Sequence, residues 1–176
     1  MSRIKKITIF GGPGSGKTRL SKSLGELFDI PVYHIDSFQF ESNGKPVKKE
    51  KRDEKILNVV KKDEWIIEGV YTSTLEERIK NSDLIIFLDF KTKDLIYGVF
   101  QRYIKAKISG EKEKEEIPGC KENIDFEFLK YVFSFNKNKR EQIYQIINNN
   151  PEKKVVILND RDSTDKYVSL LKMEEL

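Results

Sequence analysis

The 176-residue sequence has a single cysteine, no long apolar run and only a small excess of positive charge, and each shortage excludes a class of protein. Its single cysteine, Cys120, excludes an intrachain disulfide, so we expect a reducing, cytoplasmic environment. No apolar run approaches the roughly 20 residues that span a bilayer, and a strand-like segment follows Met1-Ser2-Arg3 directly, so we expect neither a membrane span nor a signal peptide. The net charge of +4 is too small to predict direct nucleic-acid binding.

Short apolar runs alternate with longer helical patterns along the chain. The alternation predicts an α/β fold with a parallel sheet and right-handed crossovers, built as a single domain over residues 1–176. A capping-box pattern, Ser73 with Glu76, marks the third helix, and a break near 136–138 is expected in the fifth. We predict strands over 4–10, 31–35, 65–68, 84–88 and 155–158, and helices over 17–28, 48–62, 72–80, 92–108, 123–149 and 163–171.

The stretch GGPGSGKT follows the first strand and opens the first helix, and it fits the pattern G-x-x-x-x-G-K-[ST]. Glycines allow backbone torsions that turn successive N–H groups toward a phosphate, and the helix dipole favours negative charge at the same point. Lys17 would reach the β- and γ-phosphates, and Thr18 would bind Mg²⁺. The predicted nucleotide-binding residues are Gly11, Gly12, Pro13, Gly14, Ser15, Gly16, Lys17 and Thr18.

Acidic residues end three predicted strands, where ligands gather in parallel sheets. Asp36 is predicted to be catalytic and to contact the acceptor, either as a base or through metal-bound water. Glu68 resembles a Walker-B acid that orients Mg²⁺ and borders the substrate, with Asp89 as the rival for that role. His34 lies two residues before Asp36 and is more often structural in such a position.

Arginine is sparse in a lysine-rich chain, so each arginine requires a reason. Its planar fork suits bidentate phosphate recognition. We predict that Arg102 and Arg140 act on the transferred phosphoryl group, that Arg52 and Arg78 bind the acceptor, and that Arg161 borders the nucleotide. Arg3 and Arg19 look structural.

Two segments are predicted to complete the site. Residues 37–62 would form an acceptor-binding insertion, and residues 105–122 a lid-like segment. The charged run within 110–116 is either a solvated loop or part of a lid that excludes water from the phosphates. Its acidic residues argue against direct phosphate contact there.

The sequence resembles bacterial topology-modulation proteins, which are P-loop proteins related to adenylate kinase. The phosphate loop, PVYHIDSF, WIIEGVYTSTLEERI, SDLIIFLDF, IPGCKENIDFEFLKYVFSF and KKVVILNDR occur in the same order as in that family. The resemblance implies a three-layer P-loop NTPase fold of the nucleoside-monophosphate-kinase type, with sheet order 2-3-1-4-5, and it implies ATP and Mg²⁺. The family name suggests an effect on DNA topology, but no DNA-binding device is visible in these residues.

The chain departs from adenylate kinases at two places. Val70-Tyr71-Thr72 stands where they carry Phe-Pro-Arg, which leaves Arg78 as the substitute for the arginine that holds the acceptor phosphate. The lid stretch reads Glu111-Lys112-Glu113-Lys114, so a lysine would replace the arginine of related lids.

These features predict an ATP- and Mg²⁺-dependent phosphotransferase whose acceptor is a nucleoside monophosphate. A kinase acting on the hydroxyl of a nucleoside or other small molecule is the first alternative, in which Asp36 becomes a general base. A slow regulatory ATPase with a protein or DNA partner is the second. The residues leave the choice between ATP and GTP, and the oligomeric state, open.

Overall fold

The computed structural model describes residues 4–41, 45–108 and 125–174. These form five strands and six α-helices in alternating order, with 3-10 helices over Ile35–Gln39 and Thr72–Thr74. The strands are β1 Lys6–Gly11, β2 Val32–His34, β3 Trp65–Glu68, β4 Leu84–Leu88 and β5 Lys154–Leu158. The helices are α1 Lys17–Phe28, α2 Lys49–Val60, α3 Leu75–Lys80, α4 Thr92–Ile108, α5 Phe126–Asn148 and α6 Arg161–Glu174.

The five strands form one parallel sheet in the order β2-β3-β1-β4-β5, as predicted. The side chains of β3 and β4 are buried throughout because helices cover both faces of the sheet, which explains their nearly continuous apolar sequence. In the register, Glu68 pairs with Ile9 of β1 and with His34 of β2. The carboxyl ends of the three strands therefore meet where the phosphate loop begins.

The buried apolar side chains form two clusters. The larger cluster joins β1 and β4 to α1 and α5, with Phe10 stacked on Phe87 at 5.2 Å between ring centroids. The smaller cluster lies under the predicted acceptor side and contains Ile35, Ile56, Val59, Val60, Trp65 and Ile67. The indole N–H of Trp65 donates to the carbonyl of Val60 at 3.2 Å, so the buried ring leaves no unsatisfied donor.

Helix starts follow local chemistry in two cases and depart from prediction in a third. The carboxylate of Asp125 accepts from the N–H of Phe128, and that of Asp160 accepts from the N–H of Ser163, so each caps its helix. The capping box at Ser73 is absent, because the 3-10 turn over Thr72–Thr74 precedes α3 and its N-cap Thr74 makes no side-chain cap bond.

Helix α5 is continuous, contrary to the predicted break near 136–138. The side-chain amide of Asn136 donates to the carbonyl of Phe90 and to the hydroxyl of Thr92 instead of competing for the helix backbone. Asparagine here fixes the helix to the end of β4.

The single-domain organisation stays a prediction. The predicted insertion at 37–62 contains most of the first 3-10 helix, a bridge between Phe40 and Pro46, and α2. Of the predicted lid, residues 105–108 end α4, and residues 109–122 lie outside the described part of the chain. Among the described residues, no helix combines the length and the apolar character needed to cross a membrane.

Candidate active site

The phosphate loop joins the end of β1 at Gly11 to the start of α1 at Lys17. Gly14 and Gly16 have φ angles of 76° and 90°, in the left-handed region that favours glycine. A Cβ atom on Gly14 would lie 2.3 Å from the carbonyl oxygen of Leu95, whereas one on Gly16 would meet no atom within 4 Å. The loop therefore packs tightly against α4 on one side and has open space at the amino end of α1, where a phosphate fits.

A cavity of ≈ 930 Å³ lies between this loop and α4. Its volume suits a nucleotide-sized ligand. The described lining residues include no acidic side chain, and their positive charge favours a polyphosphate. The basic residues of the lining are Lys17, Arg19, Lys22, Arg102, Lys105 and Arg161.

Two other predicted loop residues, Lys17 and Ser15, donate hydrogen bonds within the phosphate loop. The ammonium of Lys17 donates to the carbonyl of Gly12 at 3.1 Å, which folds the side chain back over the loop. The N–H of Ser15 donates to the same carbonyl at 3.2 Å, while the Ser15 hydroxyl is buried and has no partner among the described residues. Pro13 lies in the turn between Gly12 and Ser15. The arrangement is that of a preformed anion-binding loop.

Glu68 connects the phosphate loop to β2. Its Oε1 accepts from the hydroxyl of Thr18 at 3.1 Å and from Nδ1 of His34 at 2.7 Å. Its Oε2 is buried and has no hydrogen-bond partner among the described residues. Burial raises the pKa of Glu68, but the His34 bond, the Lys17 charge and the Thr18 bond together outweigh it, so the pKa lies below its ordinary value.

This oxygen set fits Mg²⁺. A hard cation prefers oxygen donors, and Thr18 Oγ1 and the unpartnered Oε2 of Glu68 would hold it, directly or through water. The described residues contain no group of three or more His, Cys, Asp or Glu able to hold a metal ion. Such a site suits Mg²⁺, which takes one or two protein ligands and completes its shell with phosphates and water.

Asp36 lies in the 3-10 helix that follows β2. Burial raises the pKa of its carboxyl, and the negative charge of Glu68 adds to this, against the lowering effects of Lys17, Tyr71 and His34. Asp36 therefore lies close enough to Lys17 for the lysine charge to lower the pKa of its carboxyl. A carboxylate with a raised pKa is a stronger base than an exposed aspartate.

Arg78 is fully buried, and its guanidinium donates to the carbonyls of Gly69 and Tyr71 at 3.0 Å each. Burial lowers its pKa to about 10, against the raising effects of the Glu68 and Asp36 charges. Arg78 therefore holds the loop after β3 through the backbone carbonyls of Gly69 and Tyr71, and its contact with an acceptor stays a prediction.

Arg52 also has partners within the protein. Its guanidinium lies 4.1 Å from the centroid of the Tyr71 ring and 2.9 Å from the carboxylate of Asp53. Only 16% of its side chain is exposed. Arg52 can therefore shape the acceptor side through Tyr71, and this contact was not predicted from the sequence.

Arg161 braces the phosphate loop. Its guanidinium donates to the carbonyl of Gly14 at 2.9 Å and to that of Asp94 at 3.3 Å. A Cβ atom on Gly98 would lie 2.1 Å from the Gly14 carbonyl oxygen and 2.2 Å from this guanidinium, so only glycine fits there. Arg161 also lines the cavity beside the phosphate loop, which is compatible with the predicted place at the nucleotide, and its bracing contact was not indicated by the sequence.

Arg140 forms a bidentate pair with Asp89, with both N···O distances at 2.7 Å, and the hydroxyl of Tyr144 donates to the same carboxylate. The pair lies where α5 meets the end of β4. Two nitrogens of the Arg140 guanidinium are thus engaged by Asp89, and the predicted contact of Arg140 with the transferred phosphoryl group stays a prediction. Arg102 is on α4, in the lining of the nucleotide cavity.

Two site residues were missed or undervalued in the sequence. Tyr131 of α5 is 42% exposed, and its hydroxyl is within electrostatic range of Asp36: partial burial raises the pKa of the hydroxyl, and the Asp36 charge raises it further. A tyrosine in a long helix carries no sequence signal for such a position. His34 was assigned a structural role, although its spacing from Asp36 did indicate the same side of the sheet.

Solved structures share this architecture. The chain aligns over 97% of its length with 93% of a shikimate kinase from Acinetobacter baumannii in complex with shikimate, at a TM-score of 0.60 and 12% identity. It also aligns over 98% of its length with 99% of a shikimate kinase from Bacteroides thetaiotaomicron, at a TM-score of 0.56 and 19% identity. The chain has the fold of a P-loop kinase. A gluconokinase from Sinorhizobium meliloti 1021 also matches, over 100% of this chain and 91% of that one, at a TM-score of 0.52 and 12% identity.

No protein-family model matches the chain, and no curated protein matches it in sequence. The resemblance to topology-modulation proteins therefore stays a prediction. The likeness to kinases lies in the fold, and the assignment of chemistry depends on the residues of the site.

Proposed function

We propose that this protein is an ATP- and Mg²⁺-dependent kinase that phosphorylates a hydroxyl group of a small molecule. The observation that carries the proposal is the position of the half-buried Asp36 carboxyl in the 3-10 helix that follows β2, where partial burial raises its pKa against the opposing charge of Lys17. A hydroxyl acceptor must lose a proton when it attacks phosphorus, whereas a phosphate acceptor need not near neutral pH.

The arginines of the acceptor side support a hydroxyl over the nucleoside monophosphate expected from the sequence. A monophosphate needs a cation that faces it. Arg78 is fully buried against backbone carbonyls, and Arg52 is stacked on Tyr71 and paired with Asp53. The likeness in fold to structures described as shikimate kinases and a gluconokinase is consistent with a small acceptor.

In the proposed reaction, Asp36 accepts the hydroxyl proton as the acceptor oxygen forms its bond to the γ-phosphorus. The bond from that phosphorus to the β–γ bridging oxygen breaks, and ADP leaves. Lys17 and the amino end of α1 hold the phosphates and stabilise the charge that develops on them. Mg²⁺, held near Thr18 and Glu68, would neutralise phosphate charge.

The test is formation of ADP from ATP and Mg²⁺ with two acceptor panels, one of sugars, polyols, shikimate, gluconate and nucleosides, the other of nucleoside monophosphates. We expect turnover with a member of the first panel, abolished in Lys17→Ala. Asp36→Asn should reduce kcat/KM by about 10²- to 10⁴-fold, the usual contribution of a general base.

Asp83→Asn is the matched control, since Asp83 accepts from the backbone N–H groups of Lys5 and Lys6 at the amino ends of the strands, away from the phosphate loop. It should leave kcat/KM unchanged. Transfer to a nucleoside monophosphate with equal rates in Asp36→Asn would contradict the hydroxyl assignment. ATP turnover that no acceptor stimulates would contradict the kinase assignment.

A further inference from the structure

We propose that His34 is a positioning residue that fixes the Glu68 carboxylate for metal binding, an inference that rests on the proposed function. Parallel pairing of β2 with β3 places His34 opposite Glu68, and the two side chains meet at 2.7 Å between Nδ1 and Oε1. An ionised carboxylate carries no hydrogen, so Nδ1 of His34 is the donor.

The carboxylate needs such an anchor. The last torsion of a glutamate side chain is broad, so a carboxylate held by one weak bond turns readily. The Thr18 hydroxyl supplies only a 3.1 Å bond to Oε1. The shorter bond from His34 fixes Oε1 from the neighbouring strand, and the direction of the unpartnered Oε2 is then set as well.

His34 is itself held firmly. Its side chain is 18% exposed, and its carbonyl accepts from the hydroxyl of Ser37 at 2.6 Å. That bond closes the first turn of the 3-10 helix that carries Asp36. His34 therefore stands between the carboxylate of the metal side and the carboxylate of the acceptor side, and it couples their positions.

Removal of a residue that orients a metal-binding group has a specific effect on metal affinity. Loss of such a partner weakens metal affinity by about 10- to 100-fold while the ligand's other contacts persist. Removal of the His34 imidazole should therefore reduce the gain in ATP affinity that Mg²⁺ provides, and it should leave metal-free ATP binding intact.

The experiment is calorimetric titration of ATP into the full chain, once with EDTA and once with Mg²⁺, for wild type, His34→Ala and His34→Asn. Asparagine places an amide N–H near the position of Nδ1. We expect the Mg²⁺-dependent gain in affinity to fall about tenfold or more in His34→Ala. His34→Asn should recover most of that gain, and metal-free affinity should stay within about twofold in all three.

Tyr33→Phe is the control on the same strand, because the Tyr33 hydroxyl accepts from Lys62 at 3.0 Å and does not contact Glu68. It should retain the full Mg²⁺-dependent gain. If His34→Ala does not fold, His34→Gln takes its place, since glutamine carries its amide farther from the backbone than Nδ1.

Two results would overturn the inference. An unchanged Mg²⁺-dependent gain in His34→Ala, or an equal loss of metal-free and metal-dependent affinity, would show that His34 contributes packing only. Failure of the wild-type chain to bind ATP under either condition is a different result, because it would remove the proposed function itself.

Discussion

Glu68 ends β3 and Asp89 directly follows β4, the two strands that flank β1, and both side chains are only 2% exposed. Both follow an apolar strand, so the sequence pattern alone does not separate them. Asp89 accepts two bonds from Arg140 and one from Tyr144, so both of its oxygens are satisfied. Glu68 keeps one buried oxygen without a partner. The free oxygen of Glu68 is what the proposed metal site requires, whereas the oxygens of Asp89 are already used by partners within the protein.

Among the substitutions that compare these two carboxylates, the largest effect is expected for Glu68→Gln. An amide cannot supply the negative charge that holds the cation near Thr18, so kcat/KM for ATP with Mg²⁺ should fall on the order of 10²-fold. Steady-state kinetics over a range of Mg²⁺ concentrations measures this loss. Unchanged kinetics in Glu68→Gln would break the distinction between the two carboxylates.

Asp89→Asn is the matching substitution on the other side of β1. It replaces a charged partner of Arg140, and hydrogen bonds to charged groups contribute about 1.5–3 kcal/mol each to the free energy of unfolding. We expect a loss of about 1–3 kcal/mol in urea unfolding, with kcat/KM within about twofold of wild type. A large kinetic defect in a variant of normal stability would instead assign Asp89 to the site.

At acidic pH, the contributions of Glu68 and Asp36 to folding stability are expected to change in opposite directions. Because the folded-state pKa of Glu68 lies below 4.5, its contribution to stability is present above pH 4.5 and is lost as pH falls through the lowered value. Asp36 has the opposite sign: its pKa lies above 3.8, so its contribution is present below pH 3.8 and is lost as pH rises through the raised value.

Unfolding free energies of Glu68→Gln and Asp36→Asn, measured from acid to neutral pH, test this contrast. Relative to wild type, Glu68→Gln should gain stability toward acid pH, and Asp36→Asn should gain it toward neutral pH. Parallel curves for the two variants would contradict the opposite pKa directions.

The smallest effect is expected for Arg140→Lys. Half of the Arg140 side chain is exposed, and a lysine keeps the charge but cannot form the two parallel bonds to Asp89. We expect less than about 1 kcal/mol of lost unfolding free energy and no change in kcat/KM. Urea unfolding and kinetics on the same preparation check it, and a kinetic loss without a stability loss would assign Arg140 to the catalytic residues, as the sequence predicted.

The local features of the chain were predictable from its sequence. The bounds of β3, β4 and α1 match the predicted ones, because apolar runs and helical spacing are read over a few residues. The phosphate loop follows from eight consecutive residues whose glycines and lysine act through the adjacent backbone. The sheet order was implied by resemblance and is confirmed by the pairing of the strands.

The partners of the arginines were not predictable in the same way. Arg161 meets Gly14, 147 residues away, and Arg140 meets Asp89, 51 residues away. Composition and spacing identify which side chains suit phosphate, but they do not show which carboxylates and carbonyls the fold brings against them. His34 differs, since its strand pairing with Glu68 could be inferred once the sheet order was assumed.

Trp65 is the only tryptophan in the sequence, and it lies at zero exposure in the smaller apolar cluster beneath the acceptor side. The unmodified protein therefore carries an intrinsic optical reporter for one part of its structure. Its emission should shift to longer wavelength when that cluster opens to water. Circular dichroism follows the helices of the whole chain, so comparison of the two signals during denaturation will reveal whether the two clusters unfold together.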